Sequence, residues 1–363
     1  MIDFRYHLVS LISVFLALAV GIALGAGPLE QSIGDTLTGQ VEQLRTEKDE
    51  LRVELDRTLG ELGHAETTVD EMAPAMLADT LGERRVAVIE VADVQPEVLE
   101  AVVSRVEQAG GTVTGTVQVT EAWTDPAQQS FRQQIAGTLL EYLDPVPADD
   151  AGTGVELAEA LVQSLTTADP ESPDSRAETS ELVVDVLVEA ELVTLEGEIT
   201  GPADAVVVLA GPTVSIGEVE QAEAALASAP AEEAAEETER AEMMLTSALE
   251  ISRAAQARSV GAVVAGGALS DASLVQRIRQ DADAVAELTT VDGVQSISGQ
   301  VAVPLALSAR VAGTIGHYGP GAGATDAMPP RVVLPTIERV APAPEEDETG
   351  AEDEGSEEPE AEG

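Results

Sequence analysis

The pattern of apolar and polar positions divides the chain into four stretches. From Leu8 to Gly27, twenty residues carry no charge. A helix needs about 20 apolar residues to cross a hydrocarbon core of about 30 Å. The run therefore predicts a membrane anchor, with Leu8, Leu11, Phe15, Leu18 and Leu24 among its residues. Arg5 and the amino terminus precede it, Phe4 and Tyr6 stand where interfacial aromatics belong, and Glu30 opens an acidic region after it. The positive-inside rule then puts the N-terminus in the cytoplasm and everything after Pro28 outside, as a single-pass cell-membrane protein with an extracytoplasmic body. A cleaved signal peptide is the other reading. Ala23 and Gly25 supply its small residues, although the apolar run exceeds the about 7–15 residues such peptides use.

The second stretch has a period of seven. With d at Leu37, Leu44, Leu51, Thr58, Ala65 and Met72, position a falls on Val41, Lys48, Leu55, Leu62 and Val69. More than five heptads predict a coiled coil, and Glu47 at g faces Arg52 at the next e across a parallel dimer. The predicted dimer seam is Leu37, Val41, Leu44, Lys48, Leu51, Leu55, Leu62 and Val69. Lys48 at an a position costs stability and selects register. Pro74, which lacks a backbone donor, is expected to end the helix. The competing reading is an amphipathic helix packed on its own domain. Thr58, Gly60 and Gly63 favour it by weakening the later heptads.

After Gly82 the periods alternate. Arg85–Val91 reads as a buried strand, Pro96–Ala109 as an amphipathic helix and Thr112–Thr120 as a strand, the spacing of a βαβ unit. Helical patterns follow at Pro126–Leu143, Val155–Thr166, Glu178–Glu191, Val219–Ser228 and Arg240–Gln256. Strand patterns stand at Ala205–Leu209, Gly261–Ala265 and Ala284–Thr290, before a last helix at Gln300–Val311. Asp144–Gly154 and Ala168–Arg176 read as linkers, and the acidic Ala229–Glu239 either extends the next helix or stays mobile. From Ala341 the chain is almost wholly Pro, Glu, Asp, Ala and Gly and is expected to be disordered.

The expected fold class is therefore α/β: a single N-terminal transmembrane helix, a coiled-coil stalk, then a doubly wound Rossmann-like α/β domain. The expected segments are 1–29 as cytoplasmic stub and anchor, 30–76 as coil, 84–337 as an extracytoplasmic α/β domain with acidic insertions, and 341–363 as acidic tail.

Charge removes one class of partner. The 363 residues carry 67 acidic and 18 basic side chains, a net −49, and Lys48 is the lone lysine. Phosphate recognition needs clustered Lys and Arg, so nucleic acid is excluded as a partner. Seven aromatic residues leave no base-stacking platform. The absence of cysteine excludes disulfides, Cys-zinc sites and thiol nucleophiles.

Catalytic chemistry is equally sparse. No G-x-G-x-x-G, P-loop lysine, H-E-x-x-H or G-x-S-x-G occurs. The three histidines, His7, His64 and His317, are far apart in sequence. Met243 and Met244 are adjacent, so on a helix they point in different directions. No enzyme, cofactor or metal ligand is expected from these residues.

The opening Met1-Ile2-Asp3-Phe4-Arg5-Tyr6-His7, running into the apolar stretch and Pro28-Leu29, resembles the start of the MctB family, mycobacterial copper transport protein B. Thr290-Val291-Asp292, Gly299-Gln300-Val301-Ala302 and Gly316-His317-Tyr318-Gly319 are similar to that family's C-terminal pattern. The resemblance implies an actinobacterial envelope protein in copper homeostasis or transport, acting through partners and not as a pore by itself. One span makes no channel alone, and no series of about 10-residue alternating strands marks a transmembrane barrel. The resemblance carries over no copper ligand. It also implies a second reading: a cell-division or cell-wall scaffold regulating a peptidoglycan hydrolase. The partners expected are a second copy in a parallel dimer and envelope or division proteins.

Overall fold

A computed structural model describes residues 4–26, 28–92, 94–211, 213–214, 216–270, 273–337 and 339. Its contacts divide the chain into two units, residues 1–67 and 68–363. The acidic tail from Ala341 lies outside the described residues.

In the first unit, α1 (Phe4–Ala26) has 23 residues, about 35 Å at 1.5 Å per residue. That length matches a bilayer core. Leu8, Leu11, Phe15 and Leu18 are all exposed, as is the rest of the helix from residue 4 to residue 23. The Leu24 side chain lies outside the described residues. The next helix, α2 (Pro28–Leu77), begins on the proline, whose missing N–H costs nothing at a first helical position. Along it Leu37, Val41, Leu44, Leu51, Leu55 and Leu62 are exposed, as is Lys48. Local pairs support the helix. Arg57 contacts Glu54 at 2.5 Å and Glu61 at 2.8 Å, worth about 0.2–0.5 kcal/mol each.

In the second unit the last turns of α2 pack inward. Ala73 and Leu77 are fully buried, and Val69 and Met76 are half-buried against the same core. Packing on the helix's own domain thus holds for these turns, while the earlier seam residues stay exposed. Pro74 does not end the helix. It lies inside the last turn, where one lost donor is offset by burial of Ala73 and Leu77, and Ala78 N donates to its carbonyl at 3.0 Å.

The body then runs β1 (Arg85–Val91), α3 (Pro96–Gln108), β2 (Thr112–Val119), α4 (Gln129–Leu139), α5 (Thr153–Thr166), α6 (Glu178–Glu189), β3 (Val193–Leu195), β4 (Ala205–Ala210), α7 (Ile216–Ser228), α8 (Ala231–Ala257), β5 (Ala262–Gly266), α9 (Leu274–Gln280), α10 (Ala284–Glu287), β6 (Thr289–Val291), α11 (Ile297–Val311) and β7 (His317–Tyr318). The seven strands form one open mixed sheet in the order β3-β2-β1-β4-β5-β6-β7. All neighbours are parallel except β2 and β3.

Strand alternation explains the two cores. Ala87, Ile89 and Val91 of β1 face a cluster built with α4, α5, α6, α8 and α9. Val86 and Val88 face the other side, with the end of α2, α3 and α11. Central strands buried on both faces read as continuous Val and Ala runs, which is why β4 is AVVVLA. From Val301 to Ala309 α11 is buried throughout, so its apolar character is that of a core helix.

Five elements depart from the sequence reading, among them α9, where no helix was expected. Ala284–Thr290 is not one strand: α10 occupies its first half, because Asp281 Oδ1 accepts from Ala284 N at 2.8 Å and caps a helical turn. Residues 317–318, for which no strand was expected, form β7. The helix from Glu178 stops at Glu189, and β3 follows as an antiparallel edge. The helix expected over Pro126–Leu143 is broken into α4 and two flanking 3-10 turns. The acidic 231–239 segment extends α8.

Residues 331–337 and Arg339 close the body against its own beginning. Arg331 donates from Nε to Met76 O at 2.9 Å and from Nη2 to Ala78 O at 2.8 Å. Leu334 N bonds Thr80 O at 3.3 Å, and Ile337 N bonds Gly82 O at 3.2 Å. Arg84 Nη1 reaches Pro335 O at 2.9 Å. Gly82 has φ +54°, and any side chain there would strike the backbone of Pro335.

Candidate functional site

Two places in the body concentrate polar chemistry. The first lies where β6 and β7 end. Arg279 on α9 and Asp292 just after β6 form an ion pair at 2.7 Å, with both side chains 2% exposed. Arg279 also donates to Thr290 Oγ1 at 3.1 Å, Tyr318 O at 2.9 Å and Ala322 O at 3.2 Å. Asp292 Oδ2 accepts from Gly321 N at 2.8 Å. Thr290 Oγ1 lies 2.9 Å from His317 Nδ1, and His317 Nε2 lies 3.0 Å from Val285 O.

The proton positions follow from the partners. Val285 O only accepts, so His317 Nε2 carries a hydrogen. In the neutral ring Nδ1 then keeps its lone pair and accepts from Thr290 Oγ1, which itself accepts from Arg279. Against the Val285 bond, burial first, then Arg279, hold the His317 pKa below the usual histidine value, which favours the neutral imidazole, and both nitrogens are occupied. His317 has no lone pair left for a metal. Gly319, at φ +127°, lets its backbone lie against Asp292, where a side chain would collide with the carboxylate. Thr290, Asp292, His317 and Gly319 thus build a sealed structural joint.

The second place is a cleft of about 980 Å³ beyond the carboxyl ends of β1 and β2, the side on which α/β sheets hold ligands. One wall is the segment from Thr120 to Gln128, the other α8 from Glu236 to Ile251. A smaller cavity of about 500 Å³ adjoins it and shares Trp123, Glu239, Met243 and Ser247. Trp123 is 3% exposed and forms a firm wall. Arg132 fixes the turn by donating to Ala122 O at 2.9 Å and Asp125 O at 2.6 Å. The rim carries Glu121, Asp125, Glu236, Glu237 and Glu239 against Arg240, which pairs with Glu237. Met243 and Met244 both line the cleft. At the neighbouring cavity, burial raises the pKa of Glu250, and Arg253 opposes that shift.

The gap between β1 and β4, where the strand order reverses, holds no phosphate cradle among the described residues. Gln95 N is taken by Thr213 Oγ1 at 2.9 Å, which ties the two loops together. Glu90 is 4% exposed near the end of β1. Its Oε1 has no hydrogen-bond partner, and burial, with Glu196 adding, raises its pKa to about 7.

Among the described residues no group of three or more His, Asp or Glu is placed to hold a metal ion. The seam residues predicted for dimerisation lie along α2, with Val69 alone turned onto the body's core. Sequence reading missed the cleft. It treated Met243 and Met244 as divergent, and the one signal available was that two neighbouring helix positions span a wider arc than one.

Known proteins extend these observations. Residues 1–329 match the family described as "Copper transport outer membrane protein, MctB". Relatives named copper transporter MctB from Mycobacterium tuberculosis and Mycobacterium bovis are 28% identical over 330 residues, covering 89% of this chain and 98% of theirs. The Mycobacterium leprae copper transporter MctB is 26% identical over 340 residues, covering 91% of this chain and all of the relative. The match takes in the apolar helix α1, the long helix α2, the α/β body and the sealed joint of Thr290, Asp292 and His317, and on that extent the chain belongs to the MctB copper transport family.

Proposed function

We propose that this protein is a single-pass, outward-facing envelope protein that serves copper homeostasis or transport through its partners, not as an enzyme and not as a pore by itself. The observation that carries the reading is the family match from the N-terminus to residue 329. The anchor is supported by α1, whose Phe4–Ala23 segment is long and apolar enough to span a bilayer and is exposed along its length. Partnering is supported by the exposed seam from Leu37 to Leu62, which a second parallel copy would cover. The order reversal between β1 and β4, with helices on both faces, supports a doubly wound, Rossmann-like body without nucleotide chemistry.

The test is a strain lacking the gene. Its cellular copper content and copper tolerance are expected to shift, and the full-length protein is expected to restore them. Unchanged copper content and tolerance would sink the proposal.

A further inference from the structure

The geometry points to Met243 and Met244 as a Cu(I) site in the cleft between α8 and the Thr120–Gln128 segment, with Glu239 as the adjoining carboxylate. This rests on the copper reading above and goes beyond it by naming where the ion is held.

Cu(I) is selected by soft ligands, thiolate or thioether. The chain has no cysteine, and the nitrogens of His317 are both engaged. Thioethers are therefore the soft donors the body offers. Met76 and Met328 pack on the hydrophobic core, and Met72 stands exposed on a helix face. Met243 and Met244 line a cavity. Neighbouring helix residues diverge by about 100°. An unbranched side chain with three torsions can nonetheless turn its sulfur toward a shared point.

Glu239 lies one turn before Met243 on the same helix face and lines both cavities. Glu237 is engaged with Arg240, which removes the one basic charge of the rim. The remaining carboxylates, Glu121, Asp125 and Glu236, raise the local concentration of a monovalent cation. The cleft opens to solvent, so an ion held by two weak thioether donors can leave again, as cargo must.

The experiment uses the full-length protein in detergent, titrated anaerobically with Cu(I) against bicinchoninate, with X-ray absorption at the copper edge. One Cu(I) per chain with sulfur neighbours is expected. Met243→Leu with Met244→Leu keeps the volume and is expected to weaken binding about tenfold or more. Met72→Leu with Met328→Leu should leave it unchanged. If the double variant misfolds by circular dichroism, Met243→Leu and Met244→Leu decide singly, each weakening binding. Wild-type binding by the double leucine chain, no uptake by the wild type, or displacement of Cu(I) by equimolar Ca²⁺ would each overturn the site. None of these outcomes touches the copper phenotype of the deletion strain, which judges the broader reading separately.

Discussion

Asp292 holds the β6–β7 end of the sheet by charge. Its partner Arg279 is as deeply buried as itself, so removing one leaves the other charged in a dry site. Asp292→Ala is expected to cost about 3–5 kcal/mol of stability, read by urea unfolding. Replacing both, as Arg279→Met with Asp292→Leu, should cost less than the single change. A loss equal to the single variant's would show that the pair does not act as a unit. Glu90 works in the opposite direction. Its folded pKa is raised to about 7, so the native state prefers the protonated form. That preference is fully present below the ordinary carboxyl pKa and is lost as pH climbs through about 7. Wild-type stability should therefore fall between about pH 4.5 and 7.5 by up to about 3 kcal/mol from this group. Glu90→Gln should be more stable than the wild type at pH 8 and equal to it at pH 4. Identical pH profiles for the two chains would refute the assignment.

The elements divide by what their residues reveal in isolation. Strand β1 is legible to the residue, because Val86, Val88, Ile89 and Val91 make a β-branched run between turn signals. Helix α3 is legible because Pro96 starts it and the glycines after it stop it. By contrast β7 has two residues and β3 three; such strands exist because a neighbour pairs with them, and no local pattern records the neighbour. AVAELTT at 284–290 satisfies both strand alternation and a capped turn, and Asp281, outside the apolar run, decides. Of the candidate sites, the C-terminal motif was legible as letters but not as a joint, since Arg279 belongs to a helix that local pattern did not reveal. The cleft was not legible at all: its walls come from residues over a hundred positions apart.

The long helix yields its own prediction. The chain has no cysteine, so one introduced thiol reports on one position. Leu51→Cys sits on the exposed seam and Val53→Cys on another face of the same turn. In full-length protein under mild oxidant, the seam variant is expected to form an interchain disulfide and the other is not. Equal crosslinking would remove the parallel coil.

For the molecule as a whole, residues 331–337 and Arg339 are as much a part of the fold as any strand. They satisfy backbone carbonyls at Met76 and Ala78 and engage Asp204 through Arg339. Deleting residues 331–363 should lower the unfolding temperature of the body by several degrees, since about 1 kcal/mol shifts the midpoint of a body this size by about 2–4 °C. Deleting 345–363, which carry eleven acidic residues and no basic one, should leave it unchanged. If both truncations melt alike, the segment contributes nothing to closure. Of the net charge of −49, residues 345–363 carry −11. The closing contacts also set an order of events. Arg84 and Pro335 meet across 251 positions, and contacts so distant in sequence form late because the intervening loop must first be closed. A chain made from its N-terminus presents α1 and α2 before the body has the residues that seal it. During that interval the carbonyls of Met76, Ala78, Thr80 and Gly82 lack the partners that residues 331–337 bring, and that edge of the half-made body stays open to water.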